Sequence, residues 1–366
     1  MKHCARCWMP DTRPGTKLDK NEVCGACLNY DKRKEIDWET RILDLGVLCD
    51  QYRRRDGRYD CIVPVSGGKD SHYQVHIMKE KFGMNPLLVT VGNPFTWTKA
   101  GWRNFTNIGK TFGCDHYLFN MSADMLKRAV KIGFEESGDP LRLIETAAYT
   151  VTLKMAVNFD IPLIMFGENP EYEYGTTQKE ETANEYIANG LPYGIFRLVD
   201  IDYWEKRGIL RSELNAFVPP TKEQLGRVKP TVEFMSRYIP WSSKQHLDIA
   251  RLYGFTDLTH EWKRDGHIEN YEQLDCVAYP VHFWLKYPKF GFQRASDVAS
   301  RYIREGLLDL EEAIELIAEE DPKLDQRALD DFLDFTGYTA REFWEIVDKF
   351  WNKEIFEKVD GVWRLK

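Results

Sequence analysis

Residues 60–71 read Asp60-Cys-Ile-Val-Pro-Val-Ser66-Gly67-Gly68-Lys69-Asp70-Ser71. A short apolar run ends in a loop rich in hydrogen-bond donors, and a helical pattern begins. The two glycines can take positive φ and let the backbone close around an anion. The N–H groups of such a loop, with the helix N-terminus behind it, present partial positive charge. Ser66 and Ser71 add hydroxyl donors, and Lys69 adds a point charge. The stretch reads as a phosphate-gripping loop between a buried strand and a helix. A plain two-glycine turn would not need this run of donors. The loop is no Walker sequence, because its glycines are adjacent and Asp70 follows Lys69. The dinucleotide pattern Gly-x-Gly-x-x-Gly is absent as well.

Outward from the loop, strand and helix patterns alternate. Strand 60–65 precedes a helix over about 70–82, with Val75, Met78 and Phe82 on one face and Gly83 as its stop. Strand 87–91 follows, then a helix near 99–112 carrying Trp102, Phe105, Ile108 and Phe112. Strand 116–120, helices near 122–136 and 140–159, and strand 161–166 complete the series. The alternation predicts an α/β fold, a parallel sheet covered by helices on both faces. Ligands of such sheets bind beyond the carboxyl ends of the strands. Two more strand ends therefore matter, Thr90-Val91-Gly92-Asn93 and Gly167-Glu168-Asn169-Pro170-Glu171. Gly92 and Gly167 would let a nucleotide approach the backbone. Glu168 and Glu171 are candidates to hold magnesium, orient a substrate or act as a base, against the alternative of ordinary acidic loop residues. Residues 171–230 read as a mostly helical insertion, and 232–239 as a further strand before helix 243–253.

Cys4-x-x-Cys7 and Cys24-x-x-Cys27 are separated by sixteen residues. Two such knuckles supply four thiolates to one tetrahedral ion, so a closed, structural zinc site is expected, with an iron–sulfur cluster as the alternative. The intervening segment is turn-rich and too short to bury a core, and a metal would supply the missing stability. Cys49, Cys61, Cys114 and Cys276 are dispersed, and Cys61 and Cys114 read as core residues. Asp31 to Arg55 reads as a linker helix with Trp38, Ile42, Leu45 and Leu48 in step.

Fifty basic and 58 acidic residues give a net charge of −8, which argues against a nucleic-acid partner. No stretch approaches a membrane span, and Met1-Lys-His-Cys does not open a signal peptide, so a cytoplasmic protein is expected. Residues 284–305 carry five basic side chains, Lys286, Lys289, Arg294, Arg301 and Arg304, in an otherwise acidic chain. Lys289 and Arg294 are the candidates for stabilising charge on leaving phosphates, and Arg304 reads as a solvated helix face. Beyond Gly306 the pattern is helical to about 351, with Asp309-x-x-Glu312 and Thr339-x-x-Glu342 resembling capping boxes. The expected organisation is a knuckle at 1–30, a linker helix at 31–58, a nucleotide domain at 59–295 with its insertion at 171–230, and a helical region at 296–366.

Ser66-Gly67-Gly68-Lys69-Asp70-Ser71 resembles the Ser-Gly-Gly-x-Asp-Ser signature of the PP-loop ATP pyrophosphatases. Members of that superfamily cleave ATP between its α and β phosphates and place AMP on a carbonyl oxygen. The resemblance implies an adenine nucleotide alpha hydrolase-like core. It also implies an ATP site at Ser66–Ser71; with the strand-end and charge readings above, Gly92 and Gly167 are expected to flank it, and Lys69, Asp70, Glu168, Lys289 and Arg294 to serve the chemistry. The knuckle sequences Cys4-Ala-Arg-Cys7 through Gly15 and Cys24-Gly-Ala-Cys27-Leu-Asn-Tyr30 sharpen it, with Ile36-Asp-Trp38. So do Ile161-Pro162 through Gly167-Glu168-Asn169, and Lys289-Phe-Gly-Phe-Gln-Arg294-Ala-Ser-Asp297. Together these resemble the N-acetyl sugar amidotransferases of bacterial O-antigen and pseudaminic acid-type pathways. Such enzymes turn an acetamido group of a nucleotide-linked sugar into an acetamidino group. The resemblance implies ATP, Mg2+ and structural Zn2+ as cofactors. It implies as partners a separate glutaminase subunit and a cyclase-like subunit that supply ammonia. The alternatives are a PP-loop tRNA thiolase or lysidine-type synthetase, and a nucleotide-binding regulator that has lost catalysis. Intact Lys69, Asp70 and Ser71 count against the latter.

Overall fold

The computed structural model describes residues 1–176 and 198–366. Five short strands form one parallel sheet: β1 (Cys61–Pro64), β2 (Pro86–Val91), β3 (His116–Phe119), β4 (Leu163–Phe166) and β5 (Thr231–Phe234). Their order is β3-β2-β1-β4-β5, with Ile62 beside Leu87 on one flank and Ile164 on the other. The order reverses between β1 and β4, and ligands of open α/β sheets bind at such a switch point. The loop 66–71 follows β1 and the loop 167–169 follows β4, so both open there.

Alternation along the strands divides the core in two. Ile62, Leu87, Val89, Ile164 and Val232 face α5 (Ala123–Ser137) and α6 (Arg142–Asn158). Cys61, Val63, Leu88, Leu163 and Met165 face the other layer, with α2 (Trp38–Tyr52), α3 (Lys69–Val75) and α4 (Lys99–Phe112). Burial on both faces explains why the strands read as continuous apolar runs.

The parallel sheet, the N-terminal cysteine unit (followed by α1, Gly25–Arg33) and the C-terminal helices are the architecture expected. Local departures have local causes. The helix after the loop is α-helical only to Val75 and continues as a π-turn over His76–Lys81 before Gly83 at φ +61. The strand expected over 232–239 stops at Phe234, because Ser236 N turns to donate to Gly167 O at 3.0 Å. On α2 the buried seam is Leu45 and Cys49, and Ile42 is exposed. Trp102 likewise lies half exposed on α4. The expected insertion includes 177–197, outside the described residues. Its remainder holds a short α7 (Pro170–Glu173), α8 (Ile201–Glu205), a 3-10 turn at Asn215–Phe217 and α9 (Lys222–Val228).

Past α10 (Ser243–Leu252) come α11 (Tyr279–Trp284), α12 (Lys286–Phe290), α13 (Arg294–Glu305), α14 (Leu310–Glu320), α15 (Gln326–Thr336) and α16 (Ala340–Val347). Phe134 of α5 meets Phe332 and Phe343 at centroid distances of 5.3 and 5.2 Å, which fastens this region to the sheet layer. Thr339 and Glu342 form a reciprocal capping box, whereas Asp309 caps α14 singly. The chain closes with a hairpin, β6 (Phe356–Val359) and β7 (Val362–Leu365), turned by Asp360 and Gly361 at φ +49 and +81. No helix among the described residues is long and apolar enough to cross a membrane.

Candidate active site

The loop after β1 is fixed by its own side chains. Ser66 N donates to Ser71 Oγ at 2.9 Å, and Gly68 N donates to Ser66 Oγ at 3.3 Å. Gly67 takes φ +85 and presses on α4, where a Cβ would lie 2.8 Å from the backbone of Phe105. Only a glycine meets both demands. Gly68, at φ −68 and ψ 174, needs no left-handed freedom and serves as the N-cap of α3.

Lys69 is 2 % exposed, and its Nζ lies 2.9 Å from both carboxylate oxygens of Asp70 and 3.3 Å from Glu272 Oε1. Glu272 is the hub of the opposite wall. It also binds Arg294, Arg301 and, at 2.8 Å, the hydroxyl of Ser243. Burial pushes the Glu272 carboxyl up, but Arg301, Lys69 and Arg294 outweigh it and hold the group far below the usual carboxylate range. Three cations thus surround one ionised carboxylate, and the Nε atoms of Arg294 and Arg301 are buried without a hydrogen-bond partner. Arg294 and Arg301 stand seven residues apart, two turns along one side of α13. A chamber of about 90 Å³ lies between this wall and the Ser66–Asp70 loop.

Glu168, from the loop after β4, lines the same chamber. Burial, then the charges of Asp70 and Glu173, push its carboxyl up to about 7. Asp70 accepts from His246 Nδ1 at 2.6 Å, while the His246 ring stacks on Tyr73 at 4.0 Å. Burial favours the protonated form of Asp70, but Lys69 and His246 hold it well below its ordinary value. Two carboxylates that repel one another within a phosphate-sized chamber suit a divalent cation, which takes one or two carboxylates plus phosphate oxygens.

A larger cleft of about 440 Å³ adjoins the chamber and shares Ser66, Asp70, Glu168 and Asp275 with it. It runs over the carboxyl ends of β1, β2, β4 and β5, and Tyr149, Phe166, Phe234 and Trp241 give it an aromatic wall. A polar end for phosphates and a roomy, partly aromatic end for a nucleoside or sugar are thereby joined.

The structure gathers Ser66–Asp70, Glu168 and Arg294 around the chamber, and Gly167 with Ser71 at the cleft. A side chain at Gly167 would collide with Gln74 and Trp241. Gly92 serves packing, since a Cβ there would lie 2.3 Å from Asn120 Oδ1. Lys289 is not brought to the loop. Its Nζ donates to Ser137 O and Gly138 O at 3.1 and 2.8 Å, closing the carboxyl end of α5. Arg304, expected in solvent, instead lines a small pocket with Arg33 and Glu173. The side chain of Glu171 lies outside what the structure describes. Glu272, Arg301 and His246 join the site without having been assigned to it from sequence.

Cys4, Cys7, Cys24 and Cys27 are buried, with all four sulfurs within 4.8 Å of one another. The Cys4–Cys27 and Cys7–Cys24 separations are 3.9 and 3.6 Å. Zinc–sulfur bonds of about 2.3 Å in a tetrahedron place sulfurs about 3.8 Å apart. The donor set thus fits one tetrahedral ion. The unit leans on the site. Asn29 Nδ2 donates to Tyr172 O at 2.8 Å, Arg33 pairs with Glu173, and Arg13 lies 4.3 Å over the ring of Tyr174, which lines the chamber.

Residues 265–366, which contain Glu272, Arg294 and Arg301, match the family model described as LPS biosynthesis protein WbpG-like, C-terminal domain. Residues 265–366 are thus similar to that domain and make up a WbpG-like region. This agrees with the family that the sequence resembles. An uncharacterized protein of Methanocaldococcus jannaschii is 33% identical over 147 residues, 38% of this chain and 50% of that protein. The chain therefore spans about half the length of this curated relative. Among solved structures, the U34-tRNA thiolase NcsA from Methanococcus maripaludis, with its 4Fe–4S cluster, is similar over 92% of this chain and 96% of its own, at 13% identity and a TM-score of 0.34. The NH3-dependent NAD synthetase from Campylobacter jejuni is similar over 60% and 98%, at 10% identity and a TM-score of 0.29. The WbpG-like region begins where the opposite wall of the chamber begins, and it carries that wall's arginines.

Proposed function

We propose that the protein is an ATP-dependent amidotransferase acting on a nucleotide-linked N-acetyl sugar for a bacterial surface polysaccharide. The observation that carries this reading is the origin of the chamber's second wall. A domain of the lipopolysaccharide-biosynthesis type supplies Arg294 and Arg301, each with an unpartnered buried N–H, to face a phosphate-gripping loop.

An acetamido carbonyl is a poor electrophile for ammonia. Attack of its oxygen on the α-phosphorus of ATP forms an O-adenylyl imidate and releases pyrophosphate, and ammonia then displaces AMP at carbon. The loop's N–H groups and Lys69 would hold the phosphates, with Arg294 and Arg301 meeting the charge that grows on the departing pyrophosphate. Asp70 and Glu168 would hold magnesium, which when bound neutralises phosphate oxygens. The cysteine unit would hold zinc and brace the Tyr172–Tyr174 segment. The cleft would take the sugar nucleotide, and ammonia would come from separate glutaminase and cyclase-like subunits.

The test supplies the purified chain with MgATP, ammonium and a panel of nucleotide-linked N-acetyl sugars. AMP formed with one sugar, whose mass changes by the exchange of oxygen for NH, is the expected result. AMP formed with tRNA and with no sugar would overturn the reading and favour a tRNA-modifying enzyme.

A further inference from the structure

Where Glu145 lines the cleft, three titratable groups meet. His282 of α11 is 12 % exposed and stands between two carboxylates. Its Nδ1 is 3.5 Å from Asp139 Oδ1, and its Nε2 is 3.4 Å from Glu145 Oε1. Glu145 opens onto the cleft beside Tyr279. Inside, His282 Nδ1 and Asp139 Oδ1 are buried without hydrogen-bond partners. Asp139 and Glu145 flank the turn between α5 and α6, whereas His282 comes from the WbpG-like region. The group thus spans the same two parts of the chain as the phosphate chamber.

The arrangement favours a proton within the group at low pH. A neutral imidazole has one N–H and one lone pair. With an ionised carboxylate at each nitrogen, the lone pair would face negative charge. An extra proton on the ring or on one carboxyl relieves this repulsion. The surroundings favour the carboxyls. Burial, then Lys286 and Lys289, push the His282 imidazolium far below its ordinary range. Burial and then Asp139 lift Glu145 to about 7, against the opposing charges of Lys286 and Lys289. Burial also lifts Asp139, against Lys289, Arg142 and Lys286. Of the three groups, only Glu145 meets the cleft.

We propose that Glu145, with His282 and Asp139 behind it, is the proton acceptor for the substrate bound in the cleft. This rests on the amide-activation reading above. When the amide oxygen attacks the α-phosphorus, a P–O bond forms, and the bond from that phosphorus to the bridging oxygen breaks. The electron pair leaves with pyrophosphate. The amide N–H proton passes to the Glu145 carboxylate, and the C–N bond becomes the C=N of the imidate. Glu145 touches substrate, while His282 and Asp139 are positioning residues that pass the proton on.

The test measures AMP formation in a single turnover against pH, using the sugar found active with the wild-type chain. The wild type should accelerate as pH rises through about 7. Glu145→Gln should lose about a hundredfold or more and the pH dependence with it. Glu145→Asp should recover part of the rate, and His282→Gln should shift the midpoint. Melting with and without MgATP reports that each variant is folded with its phosphate loop intact. Wild-type rate and profile in Glu145→Gln would overturn the proposal. If no sugar yields AMP, the amide reading fails by itself, and the relay is read from the 15N resonances of His282. Glu145→Gln should then shift the titration of that ring, and an unchanged titration would overturn the relay. A zinc or manganese ion held by the wild type and lost in His282→Gln, with the cysteine unit still loaded, would overturn it in favour of a metal site.

Discussion

The two walls of the phosphate chamber are built in opposite ways. One is six consecutive residues, Ser66–Ser71, whose conformation is set by a strand before, a helix behind and two internal serine bonds. The other is assembled around the buried carboxylate of Glu272, which gathers Arg294 and Arg301 from α13 and Lys69 from the loop itself. The first offers backbone donors and needs only its neighbours in sequence. The second offers full charges and exists only when the WbpG-like region has folded onto the sheet. Lys69 ties the two together, so damage to either wall should be felt in both, but in different observables.

The largest expected effect breaks the local wall alone. Gly67→Val would place a branched side chain at φ +85 and against the backbone of α4. AMP formation should fall below detection and MgATP should no longer raise the melting temperature, while the sheet still melts cooperatively. Retained ATP binding in this variant would mean that the loop is not the grip.

Breaking the assembled wall should cost stability as well as rate. Glu272→Ala leaves Lys69, Arg294 and Arg301 without their shared carboxylate. Loss of one partner from a buried ion pair costs about 3–5 kcal/mol. Denaturant midpoints should register that loss. Arg294→Ala should slow AMP formation by about a hundredfold or more. If Glu272→Ala melts like the wild type, the three cations find other partners and the hub is not one.

Removing the metal probes the comparison from outside. The Cys4 unit has a small apolar cluster of its own cysteines, Met9, Ala26 and Phe292, so a bound ion would carry its stability. A strong chelator, or Cys27→Ser, should unfold residues 1–30 by limited proteolysis and slow turnover several-fold through Tyr172–Tyr174. The sheet should stay intact. Unaltered proteolysis after verified metal loss would contradict this.

The smallest effect concerns the carboxylate pair between the walls. With Glu168 raised to about 7, cation binding must displace a proton below that pH. Mg2+ affinity in the presence of an ATP analogue should therefore rise with pH up to about 7 and then level. Glu168→Gln should flatten the curve and weaken binding. Isothermal titration in two buffers of different ionisation heat reads the proton directly.

How much of this was legible follows from how local each feature is. The sheet was readable because strands buried on both faces are apolar runs and the helices between them carry plain periodicity, as in Lys99–Phe112. The cysteine unit was readable from spacing alone. Glu272 carried no such mark, because its partners lie 22, 29 and 203 positions away in the sequence. Choosing among the basic residues of 284–305 needed the helix boundaries. Arg294 and Arg301 share α13, while Lys289 ends α12 and turns to α5. The closing hairpin did carry a signal, Asp360-Gly361 between alternating apolar residues. The π-turn at His76–Lys81 has none that we recognise.

The central claim is that the two walls together cleave ATP between its α and β phosphates. The most direct measurement is the fate of γ-labelled ATP incubated with the full chain, Mg2+, ammonium and the sugar panel. The account predicts that the label appears in pyrophosphate, in step with AMP, and that both disappear in Gly67→Val and fall sharply in Arg294→Ala. Label released as inorganic phosphate with ADP would contradict it.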